Sequence, residues 1–378
     1  MKKLLKIIII LVSLIVVFAL GFVLTLHVFE YKPDDITVLE VTNNVDDLEE
    51  NYIVLDSDLK LLTFNTGYAS LSETEDFVMD GGEKGRMDTL SEVESNMEGI
   101  STILTRESPD IFLIQEVDEN SSRSYETNQY VYYQDILGTS SVLAYNYRCI
   151  FVPFPLNPTQ MMGKVNSGIA TYTNLYSDSA IREQLPGSFS WPLRLANLKR
   201  AILVSRFPIK DSTKELIVIN VHLSAYDDGS MRQLETEALQ AVMLEEYNLG
   251  NYVIVGGDFN QTFPDAVDVT LNAVDDTYDY DYLYELKDAT YWQAPPIDGD
   301  WFVDNDFAFG IDVTTPTCRL LNKPYDTADS NNNQYYVIDG FIVSANVAIQ
   351  SVETLNEQFK YSDHNPIVMV VKLVDPLI

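Results

Sequence analysis

From Asp58 onward, short runs of aliphatic and β-branched residues alternate with longer polar or amphipathic stretches. Runs of this length and composition predict strands. They fall at Leu59–Phe64, Ile111–Glu116, Arg148–Val152, Gly168–Thr173, Ala201–Ser205, Leu216–Val221, Tyr252–Gly256, Tyr336–Val343 and Ile367–Leu373. Two stretches between them predict helices, Thr89–Glu107 and Ser230–Tyr247. In the second, Leu234, Ala238, Ala241, Val242 and Glu245 trace an amphipathic period after a Gly229-Ser230 start signal. Strands spaced by helices in this way predict a layered α/β protein. Residues 264–310 are rich in Asp and Tyr with little periodicity, and read as a long acidic surface insertion in a domain that spans 58–375.

The first thirty residues follow a different pattern. MKKLLK precedes a run from Ile7 to Leu26 without a charged residue. About 20 apolar residues at about 1.5 Å rise cross roughly 30 Å of hydrocarbon. The run is apolar on every face, which argues against a buried helix of a soluble domain. A cleaved signal peptide has a shorter apolar core and a small-residue cleavage site. No A-x-A pattern stands here, so residues 1–30 are expected to form an uncleaved signal-anchor. Lys2, Lys3 and Lys6 lie before the run, and Glu30, Asp34 and Asp35 follow it. The positive-inside rule then predicts a single-pass membrane protein with the rest of the chain outside the cytoplasm. Residues 31–57 read as an acidic stalk or a first, partly ordered strand.

Composition narrows the function classes. The chain has 378 residues, a formal net charge of −33 and 46% apolar residues, enough for a core and too few basic groups for a typical nucleic-acid footprint. An acidic chain suits divalent cations, although acidity also serves solubility alone. Two cysteines and three histidines exclude a disulfide scaffold and a Cys- or His-rich zinc module. Cys149 and Cys318 can pair in an oxidising compartment or remain as two buried thiols.

Polar residues stand at the ends of the apolar runs, where strand ends and their loops converge on one edge of an open sheet. Asn65 ends LLTFN, Glu116 ends IFLIQE, His222 ends IVINVH, and Asp258 and Asn260 end YVIVGGDFN. Asp339 interrupts YYVIDGFIVS, and Asp363 and His364 precede the last strand in YSDHNPIVMVV. Singly, each has a plain explanation as a strand terminus or a cap. Together and in this order they are specific.

These segments resemble the endonuclease/exonuclease/phosphatase superfamily, which includes deoxyribonuclease I, exonuclease III, bacterial neutral sphingomyelinases and inositol polyphosphate 5-phosphatases. The resemblance rests on Asn65, Gln115-Glu116, Val221-His222-Leu223, Gly257-Asp258-Phe259-Asn260, Ile338-Asp339-Gly340 and Ser362-Asp363-His364, in unbroken order. It implies a four-layer deoxyribonuclease I-like sandwich, α/β (α+β), of two mixed β-sheets flanked by helices. It also implies metal-assisted hydrolysis of a phosphoester by water, with Mg²⁺ or Mn²⁺ as the cation. Hard oxygen donors suit such an ion. On this reading Asn65, Glu116 and Asp363 are the metal ligands. Asp258 orients the water as base, and Asn260 holds the water or a phosphate oxygen. His364 stabilises the transition state with its tautomer fixed by Asp339, and His222 protonates the leaving group or binds the phosphate.

His222 disfavours the exonuclease III branch. The runs VGGDFNQTF and YYVIDGF disfavour the inositol phosphatase branch, which carries WxGDxNxR and PxWCDR. Asn166, Arg200 and Arg319 are candidate substrate contacts, and the MDGGEKGR loop (Met79–Arg86) is a candidate lip over the site. Three substrate classes remain open: extracellular nucleic acid, a phospholipid or its head group, and a small phosphorylated metabolite. A catalytically silent surface binding module is the non-enzymatic alternative. The membrane is the expected partner through the N-terminal helix, and no obligate protein partner is inferred.

Overall fold

The computed structural model describes residues 2–227, 229–272 and 277–374. Helix α1 (Lys2–Val28) leads into β1 (Ile36–Leu39) and β2 (Asp58–Asn65). Then come α2 (Leu90–Glu107), β3 (Ile111–Asp118), α3 (Gln129–Leu137), β4 (Ser140–Val152), β5 (Gly163–Thr173), β6 (Ser179–Gln184), β7 (Ala201–Pro208) and β8 (Glu215–His222). Helix α4 (Ser230–Asn248) precedes β9 (Tyr252–Asp258), the hairpin β10 (Val267–Asn272) and β11 (Thr277–Tyr282), α5 (Gly299–Asp304) and β12 (Phe307–Gly310). The chain closes with the short pair β13 (Cys318–Arg319) and β14 (Tyr335–Tyr336), then β15 (Asp339–Ser344), β16 (Val347–Thr354) and β17 (Ile367–Leu373).

Two sheets carry the fold. One runs β1-β6-β7-β8-β9-β15-β12 and the other β16-β17-β2-β3-β5-β4. Each is mixed, with one parallel pair at its centre: β8 with β9, and β2 with β3. The sheets face one another across a core of Leu61, Leu113, Val218, Ile254, Phe341 and Met369. Val93, Met97 and Ile100 of α2 cover the outside of the six-stranded sheet, and Leu239 and Met243 of α4 cover the outside of the other. Central strands buried on both faces read as unbroken apolar runs, which is why Leu216–Val221 and Tyr252–Gly256 were visible in the sequence. The architecture is the expected four-layer sandwich.

Both predicted helices form. Thr89 caps α2 by accepting a hydrogen bond from the Glu92 backbone N–H at 3.3 Å, while its hydroxyl donates to Glu92 Oε2 at 2.6 Å. Helix α3 and strands β6, β10, β11, β12, β13 and β16 lie outside the predicted elements, because short or edge elements with mixed polarity lack a period. The 31–57 stretch lies against the domain: β1 pairs with β6 at a sheet edge, and Ile53 is buried beside Ile209. Within 264–310, β12 forms the opposite edge of the same sheet and Phe302 is fully buried in its core. That part of the stretch is therefore built into the sandwich. Cys149 and Cys318 are both free and buried.

Helix α1 is long and apolar enough to cross a membrane by length and composition. Its last turns touch the domain. Leu26 is buried with Tyr147, Cys149, Val152, Met162, Val165 and Leu195, and Phe22 meets Phe151 edge-on. Glu30 pairs with Lys199 and Arg194, fixing the exit of the helix beside the short 3₁₀ turn Leu193–Ala196.

Candidate active site

The parallel centres of the two sheets end at the same edge, and strand register assembles the site. His222 pairs across the ladder with Asp258, and Asp258 with Asp339, so three motif residues lie side by side on β8, β9 and β15. Gly257 makes this approach possible. It has φ +151°, and a Cβ there would lie 2.0 Å from the Val221 carbonyl oxygen. From the facing sheet, Asn65 ends β2 beside Gln115 of β3. The β3–β5 ladder then bulges between Ile114 and Val117, and Glu116 adopts φ +56°. A left-handed backbone at a non-glycine residue is uncommon, and the bulge re-aims this one carboxylate.

The polar groups interlock. Asn65 Nδ2 donates to Asp258 Oδ2 at 3.0 Å and lies 3.4 Å from His364 Nε2, while its Oδ1 accepts from the Gly67 N–H at 3.1 Å. His364 Nδ1 and Asp339 Oδ2 are 2.8 Å apart. His364 Nε2 stands 3.8 Å from Asp258 Oδ2 and 3.9 Å from Asp363 Oδ2. His222 Nε2 is 3.5 Å from Asp258 Oδ2 and 3.9 Å from Glu116 Oε1. The Asn260 backbone N–H donates to Asp258 Oδ1 at 2.9 Å, and its side-chain amide donates to the Leu223 carbonyl, also at 2.9 Å.

Burial sets the charges. It pushes the Asp258 carboxyl up to about 6, with the Asp339 carboxylate adding to the rise. It pushes Asp363 up to about 7 and raises Glu116. His222 is held well below its ordinary value by burial and by the Arg200 guanidinium, so it is neutral. Burial opposes the charged form of His364 too, but the surrounding acidic groups, Asp339 first, hold its pKa well above the usual range. Two histidines that flank the same Asp258 oxygen are thus shifted in opposite directions.

Whether these residues fit a divalent cation turns on their unpartnered atoms. Glu116 Oε2 is buried with no hydrogen-bond partner, although its strained backbone aims it into the acidic cluster. The ligand-capable atoms of Asp258, Asp339 and His364 lie within 4.8 Å of one another, as do those of Cys318, Asp363 and His364. Several buried carboxyls with raised pKa values share too little positive charge, which a hard cation supplies. The donor set fits the ion. The expected ligand Asn65 already has protein partners at both ends of its amide.

The three candidate substrate contacts divide. Arg200 lies beside the cluster, and its Nε and Nη1 are buried without hydrogen-bond partners. Arg319 serves another purpose: its guanidinium donates to the carbonyls of Ser72 at 2.8 Å and Lys323 at 3.1 Å, pinning the loops that carry the site. Asn166 is replaced at the cavity wall by its neighbour Ser167 on β5 and by Asn146 on β4. The 79–86 loop is tied down by Asp80, which accepts from Tyr226 Oη at 2.5 Å and the Leu321 N–H at 2.9 Å, and by Lys84, which bridges Glu75 and Asp88.

Residues without a sequence signal complete the floor. Arg123 chelates Asp118 through Nε and Nη2 at 3.0 and 2.8 Å and lies 3.5 Å over the Tyr68 ring. The Arg123 charge also acts on Glu116, opposing the rise that burial imposes on its carboxyl. Neither Arg123 nor Tyr68 stands in a recognisable motif.

The sequence model of the Endonuclease/Exonuclease/phosphatase family matches residues 91–364. The chain belongs to this family of phosphoester hydrolases. Similar solved structures include an endonuclease/exonuclease/phosphatase from Beutenbergia cavernae DSM 12333, with TM-score 0.54 and 14% identity, covering 84% of this chain and 72% of that one. Another is a functionally unknown conserved protein from Enterococcus faecalis V583, with TM-score 0.50 and 16% identity, covering 83% and 99%. At such identity the likeness is one of fold. No curated protein matches the chain.

Proposed function

We propose that the protein is a divalent-metal-dependent phosphodiesterase acting outside the membrane, with residues 58–375 as the catalytic domain and α1 as its anchor. The observation that carries the chemistry is the convergence of Glu116, His222, Asp258, Asp339 and His364, with Glu116 Oε2 left unpartnered in the cluster. Glu116 and Asp363 would hold Mg²⁺ or Mn²⁺, with the Asn65 amide beside them. When bound, the ion polarises the phosphoryl oxygens and offsets their charge.

Asp258 stands where it can orient a water and accept its proton, and Asn260 holds the geometry of that carboxylate. The water oxygen bonds to phosphorus, the ester P–O bond breaks, and the departing oxygen takes a proton from solvent. His364, protonated and fixed by Asp339, offers Nε2–H to a phosphoryl oxygen. His222 is neutral, and this favours its reading as a phosphate hydrogen-bond donor over that of a leaving-group acid. Arg200 adds a cation on the cavity side.

Placement outside the membrane is supported by Lys2, Lys3 and Lys6 before the apolar run. Retention of the helix is supported by the burial of Leu26 against the domain. The test is turnover of bis(4-nitrophenyl) phosphate by the full chain in detergent. Hydrolysis that needs Mg²⁺ or Mn²⁺ and stops with chelator is expected. Protease added outside intact cells should remove the catalytic domain. Chelator-insensitive turnover, or protection from protease, would overturn the corresponding half of the reading.

A further inference from the structure

Beside the catalytic cluster opens a cavity of about 610 Å³. This is a typical volume for a bound organic molecule. Glu116, His222 and Arg200 line one end of it, and Phe22, Val23 and Leu26 of α1 line another part. The wall between is apolar, from Phe77 and Met79 on one loop, Val152, Phe154 and Met162 around the β4–β5 connection, and Phe189, Leu193 and Leu198 after β6. An enzyme for polynucleotide or a small polar ester has no use for such a wall, because polyanions need basic, polar surroundings.

The segments that form the wall also expose apolar side chains: Leu156 is 83% exposed, Leu193 61% and Trp191 57%. Trp191 and Leu193 lie on the loop that touches the last turns of α1. Large apolar groups clustered where a membrane-spanning helix emerges belong to the bilayer interface. Phe22, Val23 and Leu26 put the cavity against the same turns of α1. The far end of the cavity carries a buried guanidinium edge without a partner beside Glu116.

We propose that the substrate is a membrane lipid phosphoester, whose phosphoryl group sits among Glu116, His222 and Arg200 while one hydrocarbon chain fills the apolar arm of the cavity, entering from the bilayer beside the last two turns of α1. The proposal rests on the phosphodiesterase reading above and uses its hydrolysis step unchanged. It deepens that reading by naming the substrate class. The tether holds the site at the surface from which the substrate is drawn, and the long apolar wall offsets the cost of lifting a chain out of the bilayer.

The experiment uses the full chain with Mg²⁺ or Mn²⁺ and three kinds of substrate. These are vesicles of phosphatidylcholine, phosphatidylglycerol or sphingomyelin; a series of alkyl 4-nitrophenyl phosphodiesters of increasing chain length; and bis(4-nitrophenyl) phosphate. Hydrolysis of at least one vesicle lipid is expected. In the alkyl series KM should fall with each added methylene, by up to about four-fold per group where the wall is fully closed around the chain. Phe154→Glu and Leu193→Glu, at partly exposed wall positions, should flatten that dependence and lower the ratio of lipid to bis(4-nitrophenyl) phosphate turnover at least about ten-fold. Turnover of bis(4-nitrophenyl) phosphate with no lipid hydrolysed, or a KM indifferent to chain length in the unaltered protein, would overturn the lipid assignment and leave the phosphodiesterase standing. An equal chain-length dependence in the Glu variants would overturn the placement of the chain. Failure to hydrolyse any diester would overturn the phosphodiesterase reading itself.

Discussion

The apolar wall of the cavity and the polar floor of the active site beside it are made by different means. The floor is polar and over-determined: His222, Asp258, Asp339 and Asn65 sit at strand ends fixed by ladder register, His364 reaches them from the segment before β17, and each touches at least one other. The wall is largely apolar and comes from a helix end and three loops. A floor of this kind sets what bond is broken, because its charges and hydrogen-bond directions admit little variation. A wall of this kind sets what molecule presents the bond, because only shape and apolarity constrain it. Substitutions in the floor should therefore reduce turnover of every substrate alike, and substitutions in the wall should change preference.

The largest effect belongs to the floor. Asp258→Asn and His364→Ala should each lower kcat on bis(4-nitrophenyl) phosphate by about 10³–10⁴-fold, with circular dichroism showing that the folded state is retained at the assay temperature. Loss of under ten-fold in either would remove the strand-end cluster from the chemistry. Asp339→Asn should fall short of these, by about 10²-fold, because it acts through the orientation and charge of His364. Its distinguishing sign is a shift of the pH profile that a purely structural role would not produce.

Two arginines sharpen the comparison at the next scale. Arg200 has Nε and Nη1 buried without partners at the edge of the floor, whereas Arg319 spends both Nη1 and Nη2 on backbone carbonyls and leaves only Nε unpartnered. Arg200→Met should cost about 10²-fold in kcat/KM with stability held. Arg319→Met should lower stability by about 2–3 kcal/mol, through carbonyls left unpaired in the interior, with far less effect on turnover of the folded protein. Denaturant unfolding and steady-state kinetics on the pair would check this. A reversal of the two outcomes would reverse the roles assigned from geometry.

The same division explains what could be read from the chain beforehand. Central strands are buried on both faces, so their apolar runs are continuous and each ends abruptly at a polar residue of the convergent cluster. Asn65, Glu116, His222, Asp258, Asp339 and His364 were legible for that reason. Arg319 was misread as a substrate contact because a buried arginine paired with carbonyls leaves no trace in sequence spacing. Asn166 fell one residue from the wall-lining Ser167, and in a strand a shift of one changes the face. Arg123 and Tyr68 were invisible because their value comes from stacking across two loops. The wall was illegible altogether: Phe22, Phe154 and Leu193 are ordinary apolar residues until folding sets them around one cavity. Edge strand β1 was half legible, as one of two readings of the acidic 31–57 stretch, because alternate exposure breaks its apolar run.

The smallest effect is on stability, and its sign tests whether the floor is built for a cation. Burial pushes the Asp363 carboxyl up to about 7 and Asp258 up to about 6. The same groups in an unfolded chain titrate near about 4. Between pH 8 and about 6.5 the folded protein therefore takes up protons that the unfolded chain does not, so in chelator its stability should rise as pH falls through that window. The favourable contribution is complete only below the unfolded value and is lost as pH rises through the folded one. His222, held neutral by burial and Arg200, opposes the trend below about pH 6.5, where an unfolded histidine gains a proton. The expected result is a thermal midpoint a few degrees higher at pH 6.5 than at pH 8 in chelator, and a reduced rise in Asp363→Asn. Saturating Mg²⁺ should raise the midpoint more at pH 8 than at pH 6.5, because the ion then replaces charge that protons supply at the lower pH. A midpoint that falls on acidification across this window, equally with and without the ion, would mean that the acidic floor is already balanced by its own arginines and histidines and has no need of a metal.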